Sequence, residues 1–393
     1  MVLNKTVVII PSIYPKNAVC DVIEQTGQEL GKNHFVLIVQ VREGKSLKEI
    51  INEHSFQFFK KSRNVYYLYP IDILPFKRFQ VIKEINLFLY MLFVQIVLLI
   101  KKMNEDIIIW NFFPHIQHIN GYFFLKKTVI FDIVDYFTSP HKSIQKMLDE
   151  RKFKLLKRAN HVFAISKVLK DKYQKIYSKK VSIVPQGFDL EKYSKNENNA
   201  RKSLIFDKYF KKINKQKKIL GFVGGINDRL DFELLHEIIM QHPQHIFVFC
   251  GPITEDENIS GHVYPSRIRR LFKLENVVHI PEQNREDLLN IILNFDICLI
   301  PYDISLPFNK YSYPMKIFEY FYAGKPVLST KIAELTKKHF NGLVYYGNKA
   351  EWNNYIKFLI NNQWSKEKRK KQRSMALANT WDKKVSQILK QLH

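Results

Sequence analysis

The chain has 393 residues, 46% hydrophobic and 14% aromatic, which excludes a disordered or collagen-like polymer and supplies apolar material for two cores of ordinary size. Three cysteines exclude a disulfide framework, and nothing repeats at a solenoid or propeller period. Lys and Arg total 62 against 37 Asp and Glu, a formal charge of +25, so the acidic partners to consider are an anionic lipid surface, a phosphorylated substrate and nucleic acid.

The opening MVLNKTVVIIPSIYP holds one apolar stretch stopped by Pro11 and Pro15, too short for a signal peptide and suited to a first strand, so a cytoplasmic protein is expected. The β-rich runs FVLIVQV, VYYLYP, DIIIWNF, VIFDIVD, HVFAIS and VSIVPQG follow, alternating with stretches of helical character. That alternation predicts βα units and a parallel sheet. Between them lies the most apolar segment, Ile85 to Ile100, flanked by Lys77, Arg78, Lys83, Lys101 and Lys102 and interrupted by Asn86 and Gln95. As a helix it reaches about 24 Å, short of the ~30 Å hydrocarbon core, so it reads as a buried helix packed on the first sheet, with contact at a membrane surface as the alternative.

Residues 194–217 turn polar and rich in Lys and Asn, and a second series begins: ILGFVGG, HIFVFCG, VVHIPE, ICLIPY, PVLST and LVYY. The expected division is an N-terminal domain over 1–200, a second domain over 215–375 and a final helix over 376–393. Cys250 and Cys298 fall in strand-like runs and read as buried thiols in a reducing compartment. The basic runs at 211–218 and 366–373 each read as a solvated linker or helix face.

Two segments carry chemistry. In LGFVGGINDRLD an apolar run ends in Gly224 and Gly225, and Arg229 follows before a helix. Such a turn lets backbone N–H groups approach phosphate oxygens, and Arg229 adds a charge-assisted contact, although a Gly-Gly pair is equally at home in a plain turn. In YPMKIFEYFYAGKPVLST, Lys316 and Glu319 share one helix face, where they serve either a phosphate and a ribose diol or a surface ion pair. His115 and His118, three apart after a strand, are candidates for touching a sugar, against a structural role.

Taken in order, DERKFKLLKRANHVFAISKVL, VSIVPQGFDLEKY, GFVGGINDRLDFELL, FVFCGP, NVVHIPEQNREDLLNIILNFDICLIPY and PMKIFEYFYAGKPVLST resemble the segments of GT-B glycosyltransferases. The likeness is to the family 4-like enzymes of bacterial envelope polysaccharide synthesis, including those of the teichuronic-acid type. It implies an α/β chain of two Rossmann-like domains facing across a cleft, with a C-terminal crossover helix. It implies transfer of a sugar, with retention, from a nucleotide-diphosphate donor (a UDP-sugar, or a GDP-sugar) to a glycan acceptor, lipid-linked or oligosaccharide. By the same resemblance Arg229 and Lys316 neutralise the diphosphate, Gly224 and Gly225 make the phosphate turn, Glu319 accepts from the ribose hydroxyls, and the loop at Pro281 borders the base. Asp132 and Asp135 would face the transferred sugar, with Asp135 orienting the acceptor or relaying its proton; strand-end capping is their alternative.

Neither a DxD motif nor a His/Cys cluster at metal-ligand spacing stands in the sequence, so no metal and no further cofactor are expected. Three positions depart from the family pattern: Tyr311 stands where a second Glu is common, Gln186 replaces an Asn, and PSIYPKN lacks the glycines of many members. Basic charge agrees with work at the anionic inner face of the plasma membrane. A nucleotide-sugar 2-epimerase on the same fold is the competing enzyme class. A nucleic-acid-binding protein is suggested by charge alone, without the expected module, so no nucleic-acid partner is expected.

Overall fold

In the computed structural model, the described residues are 7–12, 21–41, 45–46, 58–62, 64–68, 71–75, 78–103, 105–139, 141–195, 206–210, 214, 216–254, 265–338 and 340–392. The loop after the first strand, much of the polar linker, Lys77 and Cys20 lie outside them. The chain divides into two compact units, one of residues 1–134, 146–184 and 385–393, the other of 135–145 and 185–384. The first unit's central run ends at Val184, ahead of the expected linker, and residues 376–384 belong to the second unit while 385–393 belong to the first.

The first unit is an eight-stranded sheet in which each apolar run of the sequence is a strand: β1 (Val7–Ser12), β2 (Phe35–Gln40), β4 (Val65–Leu68), β5 (Ile107–Asn111), β6 (Thr128–Ile133), β7 (His161–Ala164) and β8 (Val181–Ile183). The order is β8-β7-β6-β5-β1-β2-β4-β3, and all pairs are parallel except at the edge. There β3 (Phe58–Ser62) pairs antiparallel with β4, an addition that FFKKS did not announce. Helix α1 (Asp21–Gly31) and helix α2 (Gln80–Ile100) follow β2's neighbours in the chain, and Leu87, Tyr90, Met91, Val94 and Leu98 of α2 pack into the cluster of Val7, Ile9, Leu37, Val39, Ile107 and Ile109. The apolar segment is thus a core helix on one side, as expected.

Its interrupting amides have defined partners. Asn86 accepts from the Leu74 N–H at 2.7 Å and donates to the Leu74 carbonyl at 3.1 Å, while Gln95 donates to the Tyr122 carbonyl at 2.9 Å and accepts from the Phe124 and Leu125 N–H groups. A buried amide left unpaired would cost about 1–3 kcal/mol, so these bonds decide where α2 can sit.

The second unit is a wholly parallel six-stranded sheet: β9 (Ile219–Val223), β10 (Ile246–Cys250), β11 (Val277–Ile280), β12 (Ile297–Ile300), β13 (Val327–Ser329) and β14 (Val344–Tyr346). The order β11-β10-β9-β12-β13-β14 means that the chain builds outward from β9 and then returns to β9's other side. The connections are helices, α6 (Phe232–Gln241) after β9, α8 (Arg285–Ile292) after β11 and α10 (Lys316–Tyr322) before β13. Cys250 and Cys298 are buried in β10 and β12, and burial pushes the Cys250 thiol up to about 12. Two later helices, α13 (Lys366–Leu377) and α14 (Trp381–Leu389), end the chain. The basic run of α13 is mostly solvated, but Gln372 is buried and donates to the Lys325 carbonyl at 2.7 Å.

Candidate active site

Reversal of strand order between β9 and β12 leaves a crevice at their carboxyl ends, because the connections leave those two strands in opposite directions. The sequence after β9 is the Gly-Gly turn, and the sequence after β12 begins Pro301-Tyr302. Leu230 and Tyr302 bridge the two loops, and the Asp231 N–H bonds the Pro301 carbonyl at 2.9 Å. The Thr330 hydroxyl donates to the Tyr302 carbonyl at 2.7 Å, which fixes the tyrosine from β13. Helix α10 is held over the crevice by Tyr320: its hydroxyl accepts from the Val223 N–H at 3.1 Å and donates to the Leu299 carbonyl at 3.2 Å.

Gly224 is required by its backbone conformation and by one close approach. Its φ is +137°, which side-chain-bearing residues rarely adopt, and an added Cβ would meet Lys316 Nζ at 2.8 Å. The neighbouring Gly251, φ +145°, serves the same turn, since a Cβ there would lie 2.2 Å from the Gly224 carbonyl oxygen. Gly225 is exposed beside them. Helix α6 starts later than the phosphate reading of the motif needs: Asp231 caps it, accepting from the Leu234 N–H at 2.9 Å, so a carboxylate stands at that helix start. The helix start therefore offers no free N-terminus to an anion, and the cations of this motif stand at the turn.

Arg229 and Lys316 converge on one ring. The Arg229 guanidinium lies 4.4 Å from the Tyr302 centroid and 4.7 Å from that of Phe308, and Lys316 Nζ lies 3.9 Å from Phe222 and 4.9 Å from Tyr302. Asn309 sets the guanidinium: it accepts from Arg229 Nε at 3.0 Å and donates to the Arg229 carbonyl at 2.9 Å and to the Asp303 carbonyl at 2.9 Å. Burial lowers the Lys316 ammonium below its usual range; the Tyr302 hydroxyl, which accepts from it, opposes that, and Arg229 adds to it. Burial raises the Tyr302 phenol, but Arg229 and Lys316 together reverse this and hold it below its usual value. Two cations stacked on faces of tyrosine and phenylalanine are partly desolvated and close together, a cost that a bound dianion would relieve.

Glu319 points elsewhere. Burial raises its carboxyl above the usual range; the opposing influences, in order, are Arg285, Lys316 and the Tyr193 hydroxyl. The Arg285 side chain is also 3.9 Å from Asp189, which itself caps α5 (Leu190–Lys195) by accepting from the Lys192 N–H at 3.1 Å. Lys316 and Glu319 are therefore no surface ion pair; each is half-buried with its own neighbours. The loop of Pro281, whose carbonyl accepts from Gln283 at 2.9 Å, is exposed and leads into α8, the helix that delivers Arg285.

Asp135 is half-buried in the same unit, where burial raises its carboxyl to about 6 against the pull of Arg229. The structure thus brings Gly224, Arg229, Lys316 and Asp135 together around Tyr302, with Glu319 one helical turn from Lys316. Asp132, His115 and His118 belong to the first unit. Asp132 is fully buried on β6, in register with Phe163. His118 lies 3.5 Å from Glu84 and edge-on to Tyr122, with its imidazole lowered by burial, and the His115 carbonyl accepts from Arg151 at 2.7 Å. Both histidines thus have structural contacts within that unit.

Sequence reasoning missed Tyr302, Asn309, Phe222, Phe308, Tyr193 and Arg285. For Tyr302 a signal existed, a Pro-Tyr pair closing a buried strand beside the switch point; Asn309 and Tyr193 carried none, since Arg229 and Glu319, which they meet at the site, stand 80 and 126 residues away. Of the departures from the family pattern, Tyr311 packs edge-on against Tyr136 at 5.0 Å, and Gln186 accepts from the buried Lys384 ammonium at 3.1 Å.

Residues 205–377 match the family model described as glycosyl transferases group 1. TuaH of Bacillus subtilis (strain 168), assigned to teichuronic acid biosynthesis as a glycosyltransferase, is 26% identical over 244 residues, which are 59% of this chain and 57% of TuaH. The match thus spans little more than half of that relative. Among solved structures, sucrose-phosphate synthase from Thermosynechococcus elongatus has a TM-score of 0.72 at 14% identity, covering 98% of this chain and 99% of its own. HepE from Anabaena, in complex with UDP and glucose, has a TM-score of 0.68 at 13% identity, covering 98% of each chain. At such identities the likeness is one of fold, and it is shared by both sheets. Residues 205–377 of the second unit thus match the group 1 glycosyl transferases, and the chain shares the fold of sucrose-phosphate synthase and HepE.

Proposed function

We propose that the chain transfers a sugar from a nucleotide-diphosphate donor, a UDP-sugar in the first instance, to a glycan acceptor in cell-surface polysaccharide synthesis. The observation that carries this reading is the convergence of Arg229 and Lys316 on Tyr302 at the strand switch of the second sheet. As the glycosidic bond loosens, negative charge grows on the departing diphosphate, and two fixed cations stabilise it without reorganising. They take the part that a divalent ion plays elsewhere, so transfer proceeds without added metal. Glu319, one turn along α10, accepts from the ribose hydroxyls, Pro281 borders the base, and Gly224 and Gly225 let the phosphates approach the turn.

Asp135 orients the acceptor and relays its proton, its carboxyl held near 6 by burial and so ionised at neutral pH. HepE supports the base assignment, having been solved with UDP and with UDP-glucose, and TuaH supports a polysaccharide product. The donor side is completed by a lipid-linked acceptor at the inner face of the plasma membrane, and the anomeric configuration is retained.

The reading is tested by thermal shift at moderate salt with UDP, GDP, ADP, CMP and their sugar conjugates, with single-stranded DNA as the charge control. Selective stabilisation by one nucleoside diphosphate supports it and names the base. Equal shifts by every polyanion remove it. Release of the nucleoside diphosphate only when acceptor is present separates transfer from epimerisation.

A further inference from the structure

We propose that the outward face of α2, with Phe124 beside it, docks on an anionic lipid bilayer and lies in its interfacial layer. The inference does not rest on the transfer reading. A helix on a sheet ordinarily turns one apolar stripe inward and a polar face outward. Helix α2 is apolar on both sides. Leu87, Tyr90, Met91, Val94 and Leu98 fill the core, while Val81, Ile85, Phe93, Ile96, Leu99 and Ile100 are each 38–73% exposed. At 100° per residue those six fall within about a third of the helix circumference, and from Val81 to Ile100 they form a stripe about 28 Å long.

Phe124 extends the patch. It is 65% exposed, its ring stands edge-on to Phe88 of the same helix at 6.1 Å, and Gln95 accepts from its N–H. An aromatic ring in water is thus pinned beside the stripe by a buried amide. By length and apolar composition Gln80–Ile100 also meets the requirement for a membrane span. Its inner face is committed to the sheet and its Asn86 and Gln95 to neighbouring loops, so crossing a bilayer would require taking the first unit apart. Lying in the interface requires no such change.

Charge selects the occupant. Arg78, Lys101 and Lys102 are exposed at the two ends of α2 and Lys126 two residues after Phe124, and the chain as a whole carries +25. Among the described side chains, the acids close to the helix in sequence are Glu84, engaged by the Tyr122 hydroxyl at 2.8 Å, and Glu105 and Asp106, which lie past the helix end. Against anionic headgroups the cations add to the insertion of the apolar stripe. In a two-fold pairing of two copies through the same stripe, the same cations would oppose one another.

The test is flotation of the full chain with vesicles of phosphatidylglycerol mixed with phosphatidylcholine, and with phosphatidylcholine alone. Wild type is expected to float with the anionic vesicles. The triple variant Phe93→Ser, Ile96→Ser, Ile100→Ser should lose roughly tenfold or more of that partition, with its circular dichroism and its thermal shift by nucleotide unchanged. Phe93→Trp supplies a second readout on a milder change: quenching of the new indole by brominated lipid supports insertion, and an unquenched indole overturns it. Equal flotation of wild type and triple variant reduces the effect to bulk charge and overturns the proposal. So does a wild type that stays off the vesicles, or a triple variant whose only change is from dimer to monomer.

Discussion

Gly224 and Lys316, 92 positions apart in the sequence, compete for one small space: a Cβ on residue 224 would lie 2.8 Å from the lysine's ammonium. Gly224→Ala therefore adds a strained backbone at φ +137° to a displaced cation. We expect a loss of about 1–3 kcal/mol in stability, read by denaturant unfolding, and donor binding weakened roughly tenfold. An alanine variant of wild-type affinity would show that Lys316 does not need its present position.

Arg229→Ala and Lys316→Ala should divide binding from chemistry. If the cations act on charge that develops as the bond breaks, the single-turnover rate falls by about 10²–10³ while affinity for the nucleoside diphosphate falls less. Equal losses in both measurements would make them binding residues only.

Glu319→Gln keeps the shape and removes the charge. One charge-assisted hydrogen bond to a ribose hydroxyl is worth about 1.5–3 kcal/mol, so UDP affinity should fall roughly ten- to a hundredfold. The loss should be absent with the 2′,3′-dideoxy nucleotide. Because burial raises the Glu319 carboxyl, the ionised form is the disfavoured one, and the variant should unfold at no lower temperature than wild type at neutral pH. A uniform loss with both nucleotides would detach Glu319 from the ribose.

Asp135 gives a pH prediction whose sign follows from its environment. Its carboxyl is raised from 3.8 to about 6, so folding favours the protonated form. Its stabilising contribution is complete below about pH 3.8 and is lost as pH rises through about 6, leaving a buried charge above that. Asp135→Asn should consequently gain thermal stability over wild type as pH is raised from 4 to 7, by about a few degrees at most. The turnover of wild type should rise over the same interval, with an apparent pKa near 6, and that rise should vanish in the variant. A flat difference in unfolding temperature would show that Asp135 is not desolvated.

Most strands were legible because they are apolar runs closed by Gly, Pro or a polar turn, and the cations of the candidate site could be named because they sit in contiguous motifs. Asn309 was not legible: it meets Arg229, 80 residues earlier, and only folding brings the two together. The edge strand at Phe58 hid behind two lysines. Helix α2 failed differently. A segment apolar at nearly every position carries no phase, so the residues that face the sheet cannot be told in one dimension from those left in water.

Tyr320 has a consequence for the order in which the protein is made. Its hydroxyl joins β9 to β12 across the switch, bonding Val223 from a position 97 residues later in the chain. Until synthesis passes Tyr320, β9 has no such tie and Lys316 has no fixed seat, whatever the earlier strands have done. Contacts of that span close late. A nascent chain halted before residue 320 would therefore already contain Arg229, Tyr302, Asn309 and Lys316, but not the hydroxyl that seats the helix carrying Lys316 against β9 and β12.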